Sequence, residues 1–311
     1  MRTLLVLLLS VSFLLANDSP YIKKAEQLLK EHQFTQIEKL LKDHQDDPDA
    51  LYYLSVVKLL RGKIDAALEL AEKGLKKAKD KDRFYEWMGD IYSVKAQNSN
   101  MFSAMMTVSK IKKYWQKAIE FNPRNMSARE KLFMFYLMAP GIAGGDEQKA
   151  EALIEEVKAE DPLRALLMQA RFYRKKKEFD RAERFFLQAF KMAPDSLPVL
   201  QEVASYYMEQ KQFARARNYL QKIVRVKPDS FVGYDLFGDF YKQQGKADSA
   251  LMQYDLALKK DPYQYRTEFK KVKLLAKMGR KDEARKLANK ILHSEVFFTM
   301  KKRVKAFLDE L

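Results

Sequence analysis

The chain contains no cysteine. Disulfides, thiolate nucleophiles, thiolate metal sites and a lipidated cysteine behind a leader are thereby excluded. Histidine is almost as scarce: His32, His44 and His293 are the three in 311 residues, and they fall at the two ends of the chain, which argues against a shared metal cluster. No nucleophile elbow, paired-histidine zinc helix or calcium loop is written anywhere. Asp46, Asp47 and Asp49 come nearest to a calcium loop, but the glycine and distal glutamate are missing, so they read as a solvated turn. No catalytic residue, no metal ligand and no cofactor is expected, and the chain is read as not an enzyme. Long apolar runs are lacking too, with one exception. Met1-Arg2-Thr3 is followed by Leu4 to Ala16, interrupted only by Ser10 and Ser12, and then by polar Asn17-Asp18-Ser19. This run is shorter than the roughly 20 residues of a membrane span, so residues 1–16 read as a signal peptide cleaved after Ala16, with a retained anchor as the alternative.

Acidic residues are the minority charge, 42 against 58 lysines and arginines, for a formal net charge of +16. Such a surface attracts anionic partners. For an exported chain, periplasmic or envelope-associated, those are acidic proteins, anionic lipid or anionic polysaccharide, and no nucleic acid is expected. From Arg266 onward 14 basic residues face 6 acidic ones, so half of the net charge lies in the last 46 residues.

What the chain has is a repeat. Ala182, Ala216, Ala250 and Ala284 fall at a constant 34-residue step, and the first three precede Pro194, Pro228 and Pro262 by twelve residues each. A fixed period of this size marks a solenoid whose units bury their apolar faces only by stacking. Proline-ended windows divide the chain near 18–47, 48–81, 82–125, 126–162, 163–196, 197–230, 231–264 and 265–294. Within a unit, two helices cross closely only where one offers a small residue. Ala25, Ser55, Gly89, Ala170, Ala204 and Gly238 suit the first helix; Ala67, Ala150, Ala182, Ala216, Ala250 and Ala284 suit the second. Tyr92, Tyr136, Tyr173, Tyr207, Tyr241, Trp115, Phe186 and Tyr254 then fill the space between units, and the prolines stop each second helix.

Tyr85-x2-Met88-Gly89-x2-Tyr92 and Tyr234-x2-Phe237-Gly238-x2-Tyr241, the latter followed by Gly245, Ala250, Tyr254, Ala257 and Pro262, resemble the tetratricopeptide repeat pattern. The resemblance covers nearly all of residues 17–294. It implies an all-α, right-handed α-solenoid of antiparallel helix pairs, about eight of them. Beyond these, Phe297, Val304, Phe307, Leu308 and Leu311 give a partial apolar stripe that predicts a capping helix over 295–311.

Two windows depart from the period. The third, 82–125, carries about ten extra residues around Ala96 to Phe102, and Met101, Phe102, Met105, Met106 and Ile111 recur at roughly helical spacing, which predicts extra turns before its second helix. Methionine-rich apolar surface adapts to varied partners; lengthened helices packing on each other are the plainer reading. In the fourth, residues 139–146 replace a tight turn with Ala-Pro-Gly-Ile-Ala-Gly-Gly-Asp. A glycine-rich loop before a helix can bind phosphate, but the lysine and hydroxyl residue of a phosphate loop are absent and Asp146 stands where the anion would go, so a structural turn capped by Asp146 is expected. The insertion also resembles one found in exported bacterial tetratricopeptide proteins without an assigned activity.

The resemblance further implies a concave groove lined by the first helices at positions 2, 5, 6, 9, 12 and 13 of each unit. Its candidate partner-binding residues are Arg164, Arg171, Arg174 and Lys175 in the fifth window, Gln201 and Glu202 in the sixth, Asp235 and Asp239 in the seventh, and Arg266, Lys270, Lys273 and Lys277 in the eighth. Alternation of basic, acidic and basic bands favours a protein or peptide of mixed charge over a uniform polyanion. The family's two-carboxylate clamp for C-terminal peptides is not written in this register, because Leu236 stands where asparagine is needed, and Gln201 and Ser205 replace lysine and asparagine. The expected function is a non-catalytic protein- or peptide-binding scaffold or assembly factor of the bacterial cell envelope. The alternative is a binder of an anionic envelope surface, polysaccharide or lipid, through the basic patches.

Overall fold

The computed structural model describes residues 19–311, so the segment read as a signal peptide, residues 1–16, lies outside the described residues. Among the described residues there are seventeen α-helices and no strand. They form two compact units, the first ending at Lys177 and the second running Glu178–Leu311.

In the first unit α1 (Pro20–Lys30) pairs with α2 (Phe34–Leu41), α3 (Pro48–Leu60) with α4 (Ile64–Lys77), α5 (Lys81–Gln97) with α6 (Met101–Phe121), and α7 (Met126–Met138) with α8 (Glu147–Lys158), while α9 (Pro162–Lys175) packs on α7 and α8. In the second unit α10 (Phe179–Met192) packs on α11 (Leu197–Glu209), which pairs with α12 (Phe213–Val226). There α13 (Phe231–Gln243) pairs with α14 (Ala247–Lys260), α15 (Tyr265–Lys277) with α16 (Lys281–His293), and α17 (Phe298–Asp309) rests on α16. Contacts run chiefly between consecutive helices, the pattern of a stacked repeat.

The crossings follow from side-chain size. Ala25, Ser55, Ala67, Ala150, Ala170, Ala182, Ala204, Ala216, Ala250 and Ala284 are all fully buried. At Gly89 a Cβ would stand 2.5 Å from the Trp115 ring, and at Gly238 one would stand 2.2 Å from the Tyr254 ring, so hydrogen alone fits beneath those aromatics. Tyr92, Tyr136, Tyr207, Trp115, Phe186 and Tyr254 are buried as fillers, whereas Tyr173 and Tyr241 are half-buried. At Ser55 the hydroxyl donates to the Ala67 carbonyl at 2.6 Å and accepts from the Trp87 indole at 2.7 Å, so a polar small residue is accommodated.

In five of the pairs the chain reverses between the two helices through one residue in the left-handed region: His32 (φ 55°), Gly62 (78°), Lys211 (56°), Gly245 (75°) and Gly279 (82°). This residue closes the last turn of the first helix. Proline acts differently from expectation at two junctions. α2 ends at Leu41 and α8 at Lys158, ahead of Pro48 and Pro162, and these prolines open α3 and α9. There the missing amide has no helical partner to lose.

The α7–α8 junction is a compact loop with a single 3-10 turn, Gly141–Ala143. Gly144 has φ 85°, and a Cβ at Gly145 would meet the Ala139 carbonyl oxygen at 1.8 Å. The amides of Ala143, Gly144, Gly145 and Asp146 all donate to backbone carbonyls, and the Asp146 side chain accepts from the Lys149 amide at 3.1 Å. These four amides are spent within the turn, while Ile142 is 83 % exposed at its tip.

Candidate partner-binding site

In both units the first helix of each pair carries a row of ionisable side chains that meet across adjacent pairs. In the first unit this row is closed. Arg83 of α5 pairs with Asp49 of α3, and Lys131 of α7 reaches both Glu86 and Asp90 of α5 at 2.6 Å. Ser127 donates to Glu86 at 2.5 Å, and the Trp115 indole donates to Asp90 at 3.0 Å. All five charged residues are buried. Burial, above all, pushes the Asp90 carboxyl up to about 6 against the pull of Lys131. These charges are spent on contacts within the row, and burial keeps them from a ligand.

Two of the expected basic residues, Arg164 and Arg171, converge on one acid. Arg164 donates to Glu130 of α7 at 2.6 Å and to its own helix cap Asp161 at 3.0 Å, and Arg171 also pairs with Glu130. Arg174 lies in the last turn of α9, and Lys175 ends that helix exposed. Glu130 occupies the fifth position of the window starting at 126, so the positional rule applied to the fourth unit would have found it.

In the second unit, Lys270 of α15 sits between Asp235 at 2.6 Å and Asp239 at 2.5 Å, both on α13. Asp235 also accepts from Thr267 at 2.7 Å, and Asp239 accepts from the Tyr254 hydroxyl at 2.8 Å. Burial, with Asp239 beside it, raises the Tyr254 phenol well above its usual range. The acidic band expected from the sequence is therefore engaged by its own neighbours. Gln201 and Glu202 are half-buried on α11.

The other three cations of α15 behave differently. Arg266, Lys273 and Lys277 have no carboxylate in ion-pair contact among the described residues; Arg266 and Lys277 are exposed, and Lys273 lies over the Phe269 ring at 4.9 Å. Burial lowers the Lys273 pKa, and the like charges of Lys242 on α13, Arg303 on α17 and Lys270 on α15 add to it. Lys242 holds the twelfth position of its window and was open to the positional rule. Arg303 lies on α17, outside the repeat windows, and no spacing in the sequence pointed to it.

The acids that came nearest to a calcium loop are in separate contacts: Asp46 with Lys77 at 2.6 Å, Asp47 as the cap of α3, and Asp49 with Arg83. No group of three or more histidines and acids able to hold a metal ion occurs among the described residues. No helix among them is long and apolar enough to cross a membrane.

Comparison with known proteins agrees with this geometry. The tetratricopeptide repeat model matches twice, over residues 163–196 and 197–230. A tetratricopeptide repeat protein of Parabacteroides merdae is similar in structure, with a TM-score of 0.55 at 16 % identity, over 82 % of this chain and 96 % of that one. The chain has the tetratricopeptide-repeat fold. Yeast Tom70 is also similar, with a TM-score of 0.63 at 16 % identity over 94 % of this chain, which spans 60 % of the Tom70 chain. No curated protein matches the chain in sequence. At these identities the tetratricopeptide likeness is one of fold, and the ligand has to be argued from this chain's own residues.

Proposed function

We propose that the chain is a non-catalytic scaffold or assembly factor, exported to the bacterial cell envelope, that holds a protein or peptide segment against the first-helix faces of its second unit. The observation that carries this reading is the contrast on α15. Lys270 is locked by Asp235 and Asp239, whereas Arg266, Lys273 and Lys277 on the same helix keep their charge for a partner. Lys273 rests over the buried Phe269 ring, which fixes its stem to the helix face. A segment of mixed charge would place its acidic side chains on these cations, and Gln201 and Glu202 of the same unit would extend the contact. Charge complementarity of this kind sets specificity and association rate more than raw affinity.

The test is crosslinking in the native envelope followed by recovery of the attached protein. Reversing charge with Lys273→Glu and Lys277→Glu should reduce recovery of a specific partner by an order of magnitude or more while circular dichroism and melting stay unchanged. Undiminished recovery would remove this face from the proposal. Recovery of polysaccharide or lipid without protein, weakening steeply as salt rises, would turn the reading toward an anionic envelope surface.

A further inference from the structure

The third helix pair presents a surface that the packing of the repeats leaves uncovered. α5 and α6 have 17 and 21 residues where α3 and α4 have 13 and 14. Counted from the crossing residues, the added turns lie at the hairpin end: Ile111 stands ten residues into α6, whereas Ala67 stands three into α4. Asn100 caps this end of α6 by accepting from the Ser103 amide at 2.9 Å. On the added turns Phe102 is 77 % exposed, Met105 45 % and Met106 67 %. Side chains so open at the end of a hairpin have no walls around them, so they do not form a groove for a peptide.

At about 100° per residue, Phe102, Met105, Met106, Ser109, Lys110, Lys113 and Lys117 share one face of α6. That face is apolar at its tip and cationic behind it. No acidic residue occurs between residues 97 and 120. Lys110, Lys112, Lys113 and Lys117 have no carboxylate in ion-pair contact among the described residues, whereas Lys58, Lys77, Lys95, Lys131, Lys260 and Lys270 on other helices each have one. Lys110 lies instead over the Tyr92 ring at 5.1 Å.

We propose that this hairpin end is a contact site for an anionic phospholipid surface. Phe102, Met105 and Met106 enter the boundary between headgroups and acyl chains, and Lys110 and Lys113 meet the lipid phosphates. The spacing suits that layer: Lys110 and Lys113 lie about 6 and about 10 Å along the helix from Met106, at 1.5 Å per residue, and an apolar face in such an interface is buried about 5–10 Å deep. The complementary charge supplies attraction before the apolar groups engage.

The test uses the full chain carrying Phe102→Trp. Its native indoles, Trp87 and Trp115, are buried, so the new indole reports on the hairpin end and not on the N-terminal apolar run. With vesicles of phosphatidylcholine and about 30 mol % phosphatidylglycerol, the emission should shift to the blue and be quenched by brominated acyl chains; with phosphatidylcholine alone it should not. Adding Lys110→Glu and Lys113→Glu should weaken the quenching on the order of tenfold or more, and adding Met105→Ser and Met106→Ser on the order of tenfold. Quenching that is absent, or equal on both vesicles, overturns the proposal. A blue shift that needs no lipid and grows with protein concentration overturns it in favour of a second copy of the chain. All substituted residues are exposed, and unchanged melting of each variant confirms that folding is intact.

Discussion

Lys131 is a single ammonium between two buried carboxylates, Glu86 and Asp90. Burial opposes the charge on Lys131, yet Asp90 and Glu86 raise its pKa, so a proton that arrives goes to a carboxylate. Asp90 takes it at about 6 in the folded chain, whereas an unfolded aspartate does so near 4. Folding therefore binds a proton between those values. The stability this group contributes is fully present below about pH 4 and is lost as pH rises through about 6. Asp90→Asn removes that dependence, so the gap between variant and parent stability should change by roughly 2 kcal/mol between pH 4 and pH 6.5. Urea unfolding across that range measures it, and parallel curves would refute it. The same triad explains why this row of the first unit is a structural contact: removing Lys131 strands two buried carboxylates, at about 3–5 kcal/mol.

Helix pairs are set by what lies at their crossings. On α13, Gly238 lies under Tyr254 of α14, whose hydroxyl is held by Asp239 at 2.8 Å, so the ring cannot swing aside without losing that hydrogen bond. Alanine in a helix interior ordinarily stabilises it by about 1 kcal/mol over glycine. Here the added methyl meets the ring at 2.2 Å, and overpacking of that kind costs about 1–3 kcal/mol or more. Gly238→Ala should thus lower stability by about 2 kcal/mol, read as a lower urea midpoint at unchanged slope. A midpoint that stays or rises would show that the pair can part without loss. The α5–α6 pair obeys the same rule at Gly89 and Trp115, and its added turns lie beyond the crossing, which is why they lengthen without disturbing it.

α17 covers the α15–α16 pair: Met300 and Val304 are buried in the cluster formed by α14, α15 and α16, and Phe307 packs edge-on against Phe269 at 5.7 Å. Because coupling in stacked arrays runs between neighbours, deleting residues 295–311 should act locally. Hydrogen exchange should quicken in α15 and α16 by an order of magnitude or more and stay unchanged in α3 to α6. Uniform quickening along the chain would mean that the molecule unfolds as one cooperative block.

The sequence by itself determined the helix-pair fold, because everything that specifies it is local: Ala216 or Ala250 at a crossing, Gly245 or Gly279 at a reversal, and an apolar stripe repeated at 34 residues. It also showed which charges stand on the first helices. Only the tertiary structure decided which of those charges neutralise one another. Glu130 joins Arg164 and Arg171 from 34 and 41 residues away, and Lys270 takes Asp235 and Asp239 from 35 and 31. Such choices depend on the stacking register of adjacent pairs, which no single repeat encodes. Exposure is of the same kind: the spacing of Phe102, Met105 and Met106 reads as a packed stripe, and only the position of neighbouring helices leaves it open to an external surface.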